Sequence, residues 1–413
     1  MAPSAAAAAA AENVASGGIL LGVRGYRSAG KNASTASSKT STGHPIEVTF
    51  WEEPPPALSH FSVHCPDLQL LPDNLFLAPK AIAVDDGLVL LRVPIKHFAG
   101  KCSFQDNDYF VYHPGPPAPK LDLLPWPRRL GDDEIVILSC GGDKDKHKHY
   151  VLAALQIRSV FTFTFTLHLY RSDKSSSGRR SWTSQVVSVE EPVRDKLCPI
   201  PDSAERQMYH LTAKVITLGG ANGTVGWVDL WRGILLCDLL DDDDTPKKLR
   251  DMPLPWPSKG NWTRYLNGDE SFYRDVTVNQ HKDSIKYVEM EIISPRTVTT
   301  TIPSATTADP DSYLEWVRRS REPQPPQQRH SSVHPGWWRI TTWSMPIPVM
   351  SWDDWRPDCT ANLHEFHLDN HPMQHSELLH KLILSSGGSG RGRGDEDEDE
   401  EEEAKGQPPP PCP

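Results

Sequence analysis

One nine-residue stretch constrains the fold of this 413-residue chain more than any other. In residues 161–169, Phe and Leu side chains alternate strictly with Thr and His. Successive side chains of a β-strand point to opposite faces, so this period of two predicts a strand with one apolar and one polar face. A helix does not fit, because its apolar residues would recur about every three to four positions.

Short strand-like segments bounded by Asp-Gly, Gly-Gly and similar turns occur along most of the chain. They are 87–93, 109–112, 134–140, 150–157, 186–189, 214–218, 225–230, 234–240, 276–278, 285–292 and 337–343. Helical spacing is clear only in 311–321 and 375–384, and the 38 prolines disfavour long helices. The sequence therefore predicts an all-β fold class, with a sandwich, a barrel or a propeller as its architecture.

An internal repeat favours the propeller among these architectures. A strand near 110 is followed by Leu-Pro-Trp-Pro at 124–127, and the strand at 234–240 is followed by the same four residues at 254–257. Residues 167–182 form a third, partial unit. This cycle of strand, turn and aromatic residue is typical of propeller blades. Two coincidental proline-rich loops in a sandwich are the alternative.

Composition predicts the domain boundaries. We expect a disordered N-terminus at 1–17 and a β-rich, propeller-like domain at 18–350 with a flexible insertion near 294–335. A His-rich segment with a short helix follows at 351–384, and a disordered Gly/Arg, acidic and Pro-rich tail at 385–413.

Charge and cysteine content bound the partners and the compartment. Residues 395–403 are nine consecutive acids, and removing them changes the formal net charge from −11 to −2. A nearly neutral body is not suited to nucleic acid, and no apolar run is long enough to span a membrane. We expect a protein partner, and basic proteins as contacts of the acidic tail.

Seven cysteines with no C-x-x-C pair indicate a reducing compartment, either cytoplasm or nucleus. The Ala/Ser-rich, basic first 45 residues are also typical of a transit peptide, so organelle import stays open.

No catalytic or metal-binding motif is evident. Five histidines lie close together in the sequence: His364, His367, His371, His375 and His380. Pro372 interrupts any helix that would align them, and no cysteine has zinc-ligand spacing. We interpret them as solvated surface residues and expect no metal, no cofactor and no catalytic residue.

Several segments resemble a plant family, expanded in grasses, called domain of unknown function 1618. The clearest is Gly-Trp-Val-Asp-Leu-Trp-Arg-Gly-Ile-Leu-Leu-Cys-Asp-Leu-Leu at 226–240, followed by Leu-Arg-Asp-Met-Pro-Leu-Pro at 249–255. Further similar segments are 273–276, 285–290, 41–50 and 61–65. The resemblance covers about 18–343 and fades after Trp343. It implies no catalytic residues, since the family has no established activity, and it predicts a ring that is incomplete at its C-terminal end.

The strand rhythm has a fainter resemblance to the propellers associated with F-boxes. Within the family motif we single out six residues: Trp227, Asp229, Trp231, Arg232, Gly233 and Asp238. If the strand runs straight, the two tryptophans lie on one of its faces. We also expect Arg232-Gly233 in a hairpin turn and Asp238 at a strand end. We interpret the motif as structural, with ligand contact by Asp229 or Arg232 as the alternative.

These observations favour a non-enzymatic protein-interaction module, with Trp337, Trp338 and Trp352 as candidate anchors. A small-molecule-binding or hydrolytic enzyme using a propeller channel is one alternative. A diverged family member without intact function is the other.

Overall fold

The computed structural model describes residues 19–362 with thirteen internal gaps. The gaps are 55–56, 67–77, 96–106, 116–117, 126–129, 142–148, 160–162, 174–180, 241–246, 294–295, 300–308, 322–330 and 335–336. The predicted disordered ends, the five clustered histidines and the helix expected at 375–384 lie outside the described residues.

The first sheet contains β1 (Tyr26–Arg27), β2 (Ala36–Lys39), β3 (Pro45–Trp51) and β4 (His60–His64), in the spatial order β1-β4-β3-β2. β1 runs parallel to β4, while the other pairs are antiparallel. This order places the segment around residue 21 at one edge of the sheet, where Leu21 forms a bridge with Ser59.

The next three sheets are antiparallel meanders of four consecutive strands each. The second contains β5 (Lys80–Asp85), β6 (Leu88–Pro94), β7 (Asn107–His113) and β8 (Lys120–Leu123). The third contains β9 (Ile135–Cys140), β10 (His149–Ile157), β11 (Thr164–Arg171) and β12 (Thr183–Ser188). The fourth contains β13 (Lys214–Gly219), β14 (Thr224–Asp229), β15 (Gly233–Asp238) and β16 (Arg250–Pro253).

The fifth sheet contains β17 (Arg274–Val278), β18 (Ser284–Ile293), β21 (Trp337–Pro346) and β22 (Arg356–Asn362), paired in that order. The hairpin of β19 (Arg296–Thr299) and β20 (Ser331–His334) lies between β18 and β21 in sequence. The insertion expected at 294–335 thus contains this hairpin. The last sheet also extends past the boundary expected at residue 350, because β22 pairs with β21.

The helices are few and short. α1 is Arg194–Leu197, and α2 is Tyr313–Ser320, which lies within the helix predicted at 311–321. The 3-10 helices are Asp132–Glu134, Lys259–Arg264 and Glu270–Phe272. The Ser312 side chain caps α2 by accepting the Glu315 backbone N–H.

Apolar clusters join each sheet to the next one along the chain. Residues on facing sheets are Phe61 and Phe110 (sheets one and two), Leu90 and Ile137 (two and three), Leu167 and Trp227 (three and four), and Leu236 and Tyr287 (four and five). The first strands β5, β9, β13 and β17 line one cavity together with Leu21 and Val23 of the first sheet's inner segment. This propeller-like arrangement confirms the predicted all-β fold class. Within the described part of the chain, no apolar cluster of this kind joins the fifth sheet to the first.

The strand alternation and the Leu-Pro repeat both have structural counterparts. In β11, Phe165 and Leu167 are buried, whereas Thr166 and His168 between and beside them are half-buried. Leu124 directly follows β8 and packs between sheets two and three, and Leu254 directly follows β16 and packs between sheets four and five. The repeated leucine therefore seals the outer strand of a sheet against the next sheet.

Candidate functional site

The family motif forms the β14–β15 hairpin, and Asp229 at the end of β14 organises its turn. Asp229 Oδ1 accepts the backbone N–H groups of Trp231 and Arg232, both at 3.0 Å, and the Arg206 guanidinium at 2.7 Å. Its Oδ2 accepts the Leu211 N–H at 2.8 Å. Burial alone favours the neutral acid, but the Arg206 charge and the Leu211 N–H outweigh it and hold the pKa of Asp229 below its usual value. This carboxylate has four donors and serves the fold.

The two motif tryptophans lie in different apolar clusters and do not share one strand face, because the strand does not continue to Trp231. β14 ends at Asp229, and Trp231 lies in the turn that follows. Trp227 packs between sheets three and four and donates its indole N–H to the Glu134 carbonyl at 2.8 Å. Trp231 packs in a separate cluster and donates to the Gly268 carbonyl at 3.3 Å.

Gly233 begins β15, so the turn consists of residues 230–232 and includes Arg232 but not Gly233. Its φ is +147°, and a Cβ at this position would lie 2.5 Å from the Met252 carbonyl oxygen. Only glycine fits both this backbone conformation and this close approach. Asp238 ends β15 as expected and accepts the Thr224 hydroxyl.

The separate cluster around Trp231 forms a layer at one end of the fourth and fifth sheets, here called the loop layer. Its buried residues are Cys198, Ala204, Trp231, Trp262, Tyr265, Leu266, Tyr313 and Val317. Two buried cations attach it to the sheets. Arg232 pairs with Asp195, and Arg274 pairs with Glu289 at 3.2 Å. Arg274 also donates to the Trp231 carbonyl at 3.2 Å, with its guanidinium 5.1 Å from the centre of the indole ring.

Asp251 anchors a second buried network, which sequence reasoning missed. Its carboxylate accepts the side chain and backbone N–H of Arg194, the Val193 N–H and the Tyr209 hydroxyl. Arg194 in turn contacts His210 Nδ1 at 3.1 Å. Burial and the Arg194 charge lower the pKa of His210 to about 3. Asp251 lies in the family-like segment 249–255, which was the available signal. These buried polar groups favour the structural interpretation of the motif.

The three candidate anchors do not form one patch. Trp337 and Trp338 begin β21, where they point to opposite faces of the fifth sheet. Trp337 is half-buried, with the Arg339 guanidinium 4.8 Å from the centre of its ring, whereas Trp338 is 48% exposed. Trp352 is 42% exposed in the loop that follows the other end of β21. Trp338 and Trp352 are therefore separated by the length of a strand.

The fifth sheet has one buried and one half-buried face. Its strand register places a partly apolar row on the second face, here called the outer face: Val288, Met290, Ile292, Trp338, Ile340 and Thr342. No apolar cluster of the described residues includes these six. A shallow pocket of about 360 Å³ lies at the polar end of this face, lined by Asp275, Lys286 and Asp358 among others.

The central cavity between the five sheets has a volume of about 500 Å³. At one end, Lys80 pairs with Asp133 and Lys214 pairs with Asp275. At the other end, Asp85 accepts Lys282 Nζ at 2.7 Å and the Ser139 N–H at 2.8 Å. The two contacts of Asp85 connect sheets two, three and five at this end of the cavity.

Within the described residues, no group of three or more His, Cys, Asp and Glu side chains is arranged to hold a metal ion. No helix in the same part of the chain has the length and apolarity needed to cross a bilayer. The five described cysteines, Cys65, Cys140, Cys198, Cys237 and Cys359, are free thiols.

Residues 227–386 match the model of a family described as Protein of unknown function (DUF1618). The predicted family resemblance is thereby confirmed for this part of the chain. The match continues to residue 386, so the expectation that the resemblance fades after Trp343 is wrong. The resemblance of the segments before Trp227 to this family stays a prediction. No curated protein and no solved structure matches the chain, and the likeness to F-box-associated propellers also stays a prediction.

Proposed function

Starting from a chain whose residues 227–386 carry the DUF1618 domain, we propose that this protein is a non-enzymatic protein-interaction module. The outer face of the fifth sheet is the observation that supports this proposal. Within the described residues, sheets two, three and four each contribute to two inter-sheet clusters, whereas the first and the fifth each contribute to one. A sheet with a partly apolar second face gains stability by covering it, and a protein partner can do so.

Trp338 is the candidate anchor of this surface. Tryptophan is enriched among residues that dominate binding energy, because one side chain buries a large area with little loss of conformational freedom. The register places Trp338 beside Ile292, with Ile340 and Met290 as the next pair along the same face. An apolar surface of a partner would fit this row, while Lys286 and Asp358 at the polar end would set its orientation.

The proposal also includes a compartment and a role for the tail. We place the protein in the cytoplasm or nucleus, since the free thiols of the described residues suit a reducing environment. Residues 395–403 would contact basic proteins through charge and strengthen binding without specifying it.

Affinity purification of the tagged full-length protein from its own tissue tests the proposal. We expect a stoichiometric partner that is retained by a version ending at residue 385. Trp338→Ser should weaken the affinity for this partner by more than about tenfold. Trp352→Ser is the matched control, since Trp352 is similarly exposed but lies off the outer face. A partner lost equally with both variants would move the site elsewhere, and the lack of any partner would overturn the proposal.

A further inference from the structure

The central cavity is lined by strand edges as well as by side chains. β5, β9, β13 and β17 are each the terminal strand of a sheet. The edge of β5 is partly paired, because the Ala81 N–H donates to the Val23 carbonyl at 2.8 Å, and on β9 the Ser139 N–H donates to Asp85. Residues 214–217 on β13 and 276–278 on β17 also line the cavity. The backbone N–H and C=O groups of strand edges can donate and accept hydrogen bonds, so these edges suit a ligand that does both.

The charged side chains that line the cavity are already paired. Asp85 pairs with Lys282, Asp133 with Lys80, and Lys214 with Asp275. A charged ligand would have to break one of these pairs or be buried without a counterion, and either cost opposes binding. The cavity therefore favours an uncharged ligand.

Small apolar side chains lie between the strand edges. Val23, Ala81, Ala83 and Val84 all contribute accessible side chains to the lining. They offer contact to C–H groups, while the backbone edges offer hydrogen bonds to hydroxyl groups, which both donate and accept. A volume of about 500 Å³ lies within the range of small-molecule sites, roughly 300–1,000 Å³.

We infer that the central cavity is a binding site for a small, uncharged, polyhydroxylated molecule of the sugar or polyol class. The neutral ion-paired ends exclude charged ligands, the strand edges bind hydroxyl groups, and the aliphatic lining contacts the carbon skeleton. This site is separate from the outer face of the fifth sheet, so it stands or falls independently of the protein partner.

Saturation-transfer NMR on the full-length protein tests the inference with glucose, trehalose and myo-inositol as probes. We expect saturation transfer to at least one probe. Val84→Trp should weaken that binding by about tenfold or more, because Val84 lines the cavity and an indole there would occupy it. Val186→Trp is the matched control, since Val186 lies on β12 outside the cavity lining. Its exposure of 57% is close to the 54% of Val84.

One further variant and one further probe keep the test decisive. Thr217→Trp fills the cavity from β13, where the Thr217 hydroxyl donates to the Ile137 carbonyl, so it should reproduce the effect of Val84→Trp even if one of the two folds poorly. Glucuronate, a charged counterpart of glucose, should bind more weakly than glucose. Absence of transfer to all three neutral probes would overturn the inference and leave a water-filled cavity. Tighter binding of glucuronate, or equal losses with Val186→Trp, would overturn it as well.

Discussion

The fourth and fifth sheets both have four strands, but they differ in how far their two faces are buried. The fourth sheet is covered on both faces, and the burial extends to its charged residues: Asp229 is 0% exposed and Arg232 is 1% exposed. On the fifth sheet, β18 alternates between buried residues such as Tyr287 and half-buried ones such as Val288.

This difference separates two meanings of an unusual residue. On the fourth sheet, tryptophan and charge serve internal packing, because Trp227, Asp229 and Arg232 each have a hydrogen-bond partner within the protein. On the fifth sheet, Trp338 is 48% exposed. A tryptophan-rich motif is therefore not by itself a binding site, and the enclosure of its sheet decides which meaning applies.

Removal of the Asp229 carboxylate is the largest expected perturbation. Asp229→Ala leaves buried N–H donors and the Arg206 charge without an acceptor, so we expect a loss of about 3–5 kcal/mol in the free energy of unfolding. Asp358→Ala on the fifth sheet removes an exposed pair with Lys286 and should cost less than about 1 kcal/mol. Urea unfolding of both variants measures the contrast, and similar losses would contradict the difference in enclosure.

The tryptophans give a second contrast in which stability and binding separate. Trp227→Ala removes a fully buried side chain from the cluster between sheets three and four and should cost about 3–5 kcal/mol. Trp338→Ala should change the free energy of unfolding by less than about 1 kcal/mol, while it weakens binding of the proposed partner. Thermal unfolding with a partner-binding assay checks both, and a large stability loss for Trp338→Ala would show that its face is part of the core.

Gly233 tests whether the hairpin of the fourth sheet depends on close packing or on backbone conformation alone. Gly233→Ala places a Cβ 2.5 Å from the Met252 carbonyl oxygen, at a position where the backbone φ is +147°. Gly268 is a matched control, with φ +140° and nothing within 4 Å of its ideal Cβ. We expect Gly268→Ala to cost about 1–3 kcal/mol from backbone strain and Gly233→Ala to cost measurably more. Equal unfolding midpoints of the two variants would exclude a steric contribution to the cost of Gly233→Ala.

The sequence predicted the elements with local signals. Period-two alternation identified β11, and turn residues delimited the hairpins of the fourth sheet. The strands it missed include β22, whose Arg-Pro-Asp-Cys-Thr-Ala-Asn sequence has no apolar alternation. Its pairing with β21 comes from tertiary contact, which a local pattern does not report.

The candidate site was predictable only in part. The exposure of Trp338 and the burial of Trp231 depend on which sheet face finds a neighbour, and no local spacing encodes that. The same spacing argument placed Trp227 and Trp231 on one face, because it could not foresee that Asp229 would end the strand by binding the next backbone N–H groups. Asp251 was marked only by the family resemblance, since its partners lie about 40 to 60 residues away.

His210 gives the smallest of the expected effects, and it tests whether the buried network around Asp251 is closed to water. Its Nδ1 faces the Arg194 guanidinium, its Nε2 lies 3.1 Å from the Thr212 hydroxyl, and Asp229 and Asp251 only partly offset the effect of burial. The pKa is therefore about 3 in the folded protein, against about 6.5 when unfolded.

The unfolded chain thus binds a proton that the folded chain does not, and stability from this group falls as pH drops below about 6.5. Between pH 7 and pH 5 the loss should be up to about 2 kcal/mol. His210→Gln keeps a donor and an acceptor without titrating, so it should remove this pH dependence, as measured by urea unfolding at the two pH values. His281→Gln, at an exposed turn of the fifth sheet, should leave the wild-type dependence intact. If instead His210→Gln keeps the wild-type pH dependence, the proton is taken up elsewhere, and the buried network around Asp251 is not as closed to water as its packing indicates.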